Sequence, residues 1–252
     1  MDFVTAKLAL GWVGLALFLG MAAAAWIGNR VRTRRTDAAN DAEEGYLLSA
    51  ALALLGLLIA FTFSLAVSRY DDRRELVVQE ANAIGTAWLR AGVRGDPAGR
   101  ELQAAIADYT EVRLGLSRLE PADQVEAATG RQQVLVWNKV RALVATDTSP
   151  ITAGAVAAVN EMFDMAGARK AERAARIPGE VLFVLMAYTV IAAGIVGYVL
   201  GANARRHRAV TAILFLLLTM AITLILDLDR PRSGAITVSQ QPMWDVQASM
   251  RP

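Results

Sequence analysis

Six residues between positions 54 and 71 change character in order: Leu54, Leu57 and Phe61 are large and apolar, Ser64 and Ser68 carry hydroxyls, and Asp71 carries charge. Spacings of three and four gather them on one face of a helix. A face graded in this way suits the wall of an ion pathway. Apolar rings gate by dewetting, and hydroxyls or charges beyond them replace hydration that a passing ion has lost. Ordinary helix packing uses the same residues, because serine and threonine permit close approach of transmembrane helices. Both readings stand at this level.

The run that follows is charged: Asp71, Asp72, Arg73 and Arg74, leading to Glu80. It reads either as a vestibule or as an ion-pair network at a membrane edge, and arginines at helix ends also snorkel to headgroups. Glu80 and Asn82 interrupt an apolar patch beside Ala81, Ala83 and Ile84, while Asn160 and Asp164 share a face one turn apart. Polar groups inside apolar patches pair with each other, so Glu80 or Asn82 is expected against Asn160, Asp164 or Arg169. Near the end, Leu226–Gly234 places Asp227 and Asp229 before Arg230, Pro231 and Arg232. Two carboxylates two apart are a weak cation motif without the spacing of a calcium loop. Their arginine neighbours favour internal salt bridges.

Catalytic material is scarce. The chain has no cysteine and one histidine, His207. Thiolate metal sites, cysteine nucleophiles and disulfides are excluded, and a histidine-based triad or zinc site has little to work with. No phosphate-binding loop, nucleophile elbow or HExxH pattern occurs. Ile195–Tyr198 loosely resembles a potassium filter, but it lies within a helical run and lacks the threonine and final glycine in register. No enzyme, cofactor or metal centre is expected.

Positioning such a face is the task of the long apolar segments. Leu8–Asn29, Gly45–Ser68, Val181–Ala204 and Ala209–Leu226 contain no Asp, Glu, Lys, Arg or His. A hydrocarbon core of ~30 Å needs about 20 helical residues, so four transmembrane helices are expected. The first is too long for the apolar region of a signal peptide, and Arg30, Arg32, Arg34 and Arg35 follow it as a stop-transfer signal would. Hydrophobic residues make up 55% of the 252, and mean hydropathy is +0.36, as a membrane protein requires.

Between the second and third segments lies different material, with basic and acidic residues in balance from Arg69 to Arg176. Its apolar positions recur at helical spacing. Tyr70, Val77, Ala81, Ile84 and Trp88 share a face, and no proline interrupts Gly45–Ala91, so the second transmembrane helix is expected to run on without a break. A turn-rich stretch with Gly92, Gly95, Pro97 and Gly99 follows. A helix over about Gly99–Leu119 carries Leu102, Ile106, Tyr109, Val112 and Leu116. The next opens at Pro121 with Val125, Leu135, Trp137, Val140 and Val144. A fourth opens at Pro150 behind Ser149 as N-cap and runs through Val156, Val159, Phe163 and Ala166 to Ile177. Pro178 starts the third transmembrane helix. Strand patterns are negligible. The expected fold is an all-α membrane protein: hairpin 1–68, helical extramembrane domain 69–176, and hairpin with C-terminal tail 177–252.

The charge balance, 26 Lys and Arg against 24 Asp and Glu, speaks against nucleic acid as a partner. Sidedness is divided. The short loops Arg30–Glu44 and Arg205–Arg208 are arginine-rich, which places them in the cytoplasm and the helical domain outside. Yet Arg69, Arg73, Arg74, Arg169, Arg173, Arg176, Arg230 and Arg232 crowd the opposite face.

Tyr70-Asp71-Asp72-Arg73-Arg74, followed by Val78-Gln79-Glu80-Ala81-Asn82-Ala83-Ile84-Gly85-Thr86-Ala87-Trp88-Leu89-Arg90, resembles the signature of the bacterial bestrophin-like membrane proteins. Leu226–Gly234 with Ser239-Gln240-Gln241-Pro242-Met243 resembles the C-terminal end of the same family. The resemblance covers nearly the whole chain. It implies distant similarity to bestrophins, pentameric anion channels in which the second transmembrane helix lines the pore with an apolar neck. By position that neck falls near Leu54, Leu57 and Phe61. The tandem tryptophan-rich motif and a calcium clasp are missing here, which bears on anion selectivity and calcium gating. The resemblance also implies a bacterial inner-membrane location with the helical domain on the cytoplasmic side. Two functions follow: a homo-oligomeric ion channel, which the resemblance would make a pentamer, whose partners are the lipid bilayer, further copies of itself and inorganic ions; or a non-conducting, membrane-anchored sensor or scaffold whose helical domain binds a ligand or partner.

Overall fold

The computed structural model describes residues 3–34, 41–200, 204–230 and 234–250. They form eight helices and, among the described residues, no strand: α1 (Phe3–Arg34), α2 (Asp41–Gly92), α3 (Pro97–Leu114), α4 (Ala122–Thr146), α5 (Pro150–Ala174), α6 (Gly179–Val199), α7 (Ala204–Leu228) and α8 (Gln241–Ser249). Four of these segments are long and apolar enough to cross a membrane. The protein is therefore an all-α, multi-pass membrane protein. Parts of the interhelical segments expected from sequence, residues 35–40, 201–203 and 231–233, lie outside the described residues.

The chain divides into two compact units. One comprises Met1–Tyr70 with Arg176–Thr237, the other Asp71–Ala175 with Val238–Pro252. The tail from Val238, grouped by sequence with the second hairpin, belongs to the second unit. α2 serves both, because nothing in Asp41–Gly92 breaks it; proline is absent.

In the membrane unit α1 packs against α6 and α7. Its core contains Leu17, Met21, Leu55, Leu185, Ile222 and Ile225. Lipid offers no hydrophobic drive between apolar helices, so close approach of small residues must hold them. Gly28 and Gly197 supply it. A Cβ on Gly28 would fall on the Gly194 carbonyl, and one on Gly197 would fall on the Ala25 carbonyl. Further along α1, a Cβ on Gly14 would lie 2.9 Å from Thr223 of α7.

Three boundaries differ from the sequence expectation. α6 ends at Val199, short of Ala204, and Arg205–Arg208 form the opening turns of α7 rather than a loop. α5 ends at Ala174 instead of Ile177, because the pyrrolidine of Pro178 disfavours helical backbone at the residue before it.

The second unit packs α3, α4, α5, the second half of α2 and α8 around Ile84, Leu102, Ile106, Tyr109, Leu143, Met162 and Met243. Tyr109 and Trp137 both meet Phe163, with ring centroids at 5.9 and 6.5 Å. Asp96 caps α3 by accepting from the Gly99 amide at 2.8 Å, with Pro97 at the first helical position. α3 thus begins two residues before the expected start and ends five before the expected end. Ser149 caps α5 and accepts from the Thr152 amide at 3.4 Å. α4 turns a different face inward than the sequence suggests. Val125, Thr129, Val136, Val140 and Leu143 are buried, whereas Leu135, Trp137 and Val144 are exposed. With apolar residues on every side from Val134 to Trp137, composition does not choose the face.

Candidate functional site

Along the membrane half of α2, Leu55, Thr62 and Ala66 are buried, and the Thr62 hydroxyl donates to its own helix at the Leu58 carbonyl, 2.8 Å away. The graded face is left uncovered. Leu54, Leu57 and Phe61 keep 54%, 50% and 67% of their surface, and Ser64 and Ser68 are exposed. The next member of the series, Asp71, is exposed at the start of the second unit, as are Asp72 and Arg74. Arg73 differs. It is buried, and its Nη2 donates to the Ala175 carbonyl at 2.9 Å.

About two turns further on, α2 inserts a carboxylate into the core of the helical unit. Glu80 and the Arg113 side chain of α3 are both 0% exposed. Arg113 Nε donates to one Glu80 oxygen at 2.5 Å, and Arg169 Nη1 of α5 donates to the other at 2.5 Å. Arg169 also donates through Nη2 to the Gln240 side chain, just before α8. Around this pair, Glu126 of α4 accepts from Arg113 Nη1 at 3.2 Å and from Arg173. Burial opposes the Arg113 charge, and the Glu80 carboxylate outweighs it, holding the guanidinium above its ordinary pKa. The cluster ties α2, α3, α4, α5 and the tail together through charge-assisted bonds. Arg113 Nη1 also reaches the Thr129 hydroxyl at 3.5 Å, and these bonds join helix to helix.

The sequence anticipates Glu80 with Arg169 as candidates. Asn82, Asn160 and Asp164 are exposed and stand outside the cluster. Arg113, Glu126 and Gln240 were missed. Arg113 carried a signal, because it continues the spacing of Leu102, Ile106 and Tyr109, where an apolar residue belongs.

Asp227 and Asp229 both make backbone contacts. The Asp227 carboxylate accepts from the Ala235 amide at 2.8 and 2.9 Å and from the Ile236 amide at 2.9 Å. Asp229 accepts from the Ile177 amide at 2.9 Å, and its carbonyl accepts from Arg176. Half-buried Arg230 donates its amide to the Asp227 carbonyl at 3.1 Å. Gly234 is needed for this turn, since a Cβ there would lie 2.7 Å from an Asp227 carboxylate oxygen. Among the described residues no group of three or more His, Cys, Asp or Glu is placed to hold a metal.

The pattern of the Bestrophin-like domain matches residues 15–243, which takes in α2 to α7 whole, α1 from Leu15 and the start of α8. The chain belongs to the Bestrophin-like family. Solved structures share the fold of this Bestrophin-like chain. A crystal structure of a bacterial Bestrophin homolog from Klebsiella pneumoniae, carrying a point mutation, superposes with a TM-score of 0.72 at 15% identity, covering 96% of each chain. A second mutant of that homolog gives 0.69 at 13% identity, over 96% of this chain and 97% of the other. A crystal structure described as a membrane protein gives 0.70 at 16% identity over 96% of each. No curated protein matches the Bestrophin-like chain.

Proposed function

We propose that this Bestrophin-like protein is the subunit of a homo-oligomeric ion channel in the bacterial inner membrane, with the exposed face of α2 lining the pore. The observation that carries the reading is the uncovered series Leu54, Leu57, Phe61, Ser64, Ser68. Each subunit leaves a graded strip open, and copies arranged about an axis would close those strips into a passage. Leu54, Leu57 and Phe61 then form an apolar neck that closes by dewetting, while Ser64 and Ser68 offer hydroxyls to an ion leaving it. Anions are the proposed cargo, and the support is family resemblance together with hydroxyl donors at the neck's end. Asp71 and Asp72 mark the entrance to the helical domain, which sits on the cytoplasmic side.

Purified protein in liposomes tests this directly. The expected result is ion flux that rises in Phe61→Ala, where the constriction loses its ring, and falls in Ser64→Leu, where the apolar neck lengthens. Vesicles that stay sealed to anions and cations alike would overturn the proposal in favour of an anchored sensor.

A further inference from the structure

The membrane unit contains a cavity of about 450 Å³ where α1, α6 and the start of α7 converge. Its body is apolar, with Phe18, Ala22, Val196 and Phe215, and at its polar end stand Asn29 and Arg208. The volume is that of pockets holding drug-sized molecules. Asn29 brings its side-chain carbonyl oxygen here buried and without a hydrogen-bond partner among the described residues. A buried acceptor left unpaired costs about 1–3 kcal/mol, so the site asks for a donor. Cation and aromatic cluster at the same end. Trp26 lines the cavity, and the Arg30 guanidinium lies 4.9 Å from its ring centroid. Tryptophan and arginine at a helix end mark the interface between headgroups and hydrocarbon.

We infer that this cavity binds the headgroup and upper acyl chain of an anionic phospholipid with headgroup hydroxyls, of which phosphatidylglycerol is the type. Its phosphate diester would meet Arg208, a headgroup hydroxyl would donate to the Asn29 oxygen, and the first methylenes would run between Phe18 and Phe215. Basic pockets between transmembrane helices favour anionic headgroups for this reason. The inference is independent of conduction.

Native mass spectrometry of the full chain, stripped of lipid in detergent, provides the test. Dioleoylphosphatidylglycerol, dioleoylphosphatidylcholine and inorganic phosphate are the probes. Phosphatidylglycerol should be retained over phosphatidylcholine. Removing one interfacial arginine in Arg208→Gln should reduce that preference about five-fold. Ala212→Phe, at an exposed position that lines the cavity, should abolish retention with helicity unchanged. Equal retention of both lipids, indifference to Arg208→Gln, or equal binding of inorganic phosphate would overturn the inference. So would disulfide linkage of two copies through Ala212→Cys, which would assign the cavity to a subunit contact.

Discussion

Glu80 carries more consequence than any other charged residue described. Two buried guanidinium groups depend on it. A buried ion pair adds little over a well-packed apolar equivalent, but breaking it strands the surviving charges. Glu80→Gln should therefore lower unfolding free energy by about 3–5 kcal/mol, read as a fall in denaturation midpoint. Asp147, between α4 and α5, makes the complementary case at the surface. Its carboxylate accepts from the Ser149 hydroxyl at 2.6 Å, from the Thr152 hydroxyl at 2.8 Å and from Arg94. The hydroxyl of Ser149 first, then that of Thr152, holds it well below the usual carboxylate range. Because the pKa is depressed in the folded state, this stabilisation is complete above about pH 4 and fades as acid approaches the folded value. Asp147→Asn should lower stability most above about pH 4, where the carboxylate's contribution is complete, and flatten the acid limb of a stability–pH curve below it. Residues of both kinds were partly legible. A carboxylate amid apolar neighbours announced Glu80, but nothing local in the sequence joined it to Arg113, because that partner comes from packing between helices.

For the elements, the α1–α6 contact makes the sharpest prediction. Gly197→Ala places a methyl on the Ala25 carbonyl, so the two helices must separate, at a cost of about 1–3 kcal/mol. Gly11→Ala, on the same α1, meets nothing within 4 Å and should be neutral or slightly stabilising. Thermal unfolding in detergent distinguishes the two. Long apolar segments and proline-capped starts were readable because they obey local rules: membrane thickness for α1, α2, α6 and α7, and Ser149 with Pro150 for α5. The inward face of α4 was not, since Val134, Leu135, Val136 and Trp137 satisfy any choice of direction. Nor was the pairing of α1 with α6, which rests on glycines that have no side chain to advertise them.

On the scale of the whole protein, α2 exposes apolar rings that a soluble partner has no reason to cover and a ring of copies would. Light scattering in detergent should thus give a closed oligomer rather than a monomer or dimer, and reconstruction should show Phe61 turned to the axis. A monomer would remove the passage. One smaller device has a mechanical consequence. Asp227 receives amides from residues 235 and 236, so the start of the tail is clipped to the end of α7. Tension arriving through the tail would be borne by that clip before it reached the bilayer-spanning turns, much as strain relief protects a cable where it enters its housing.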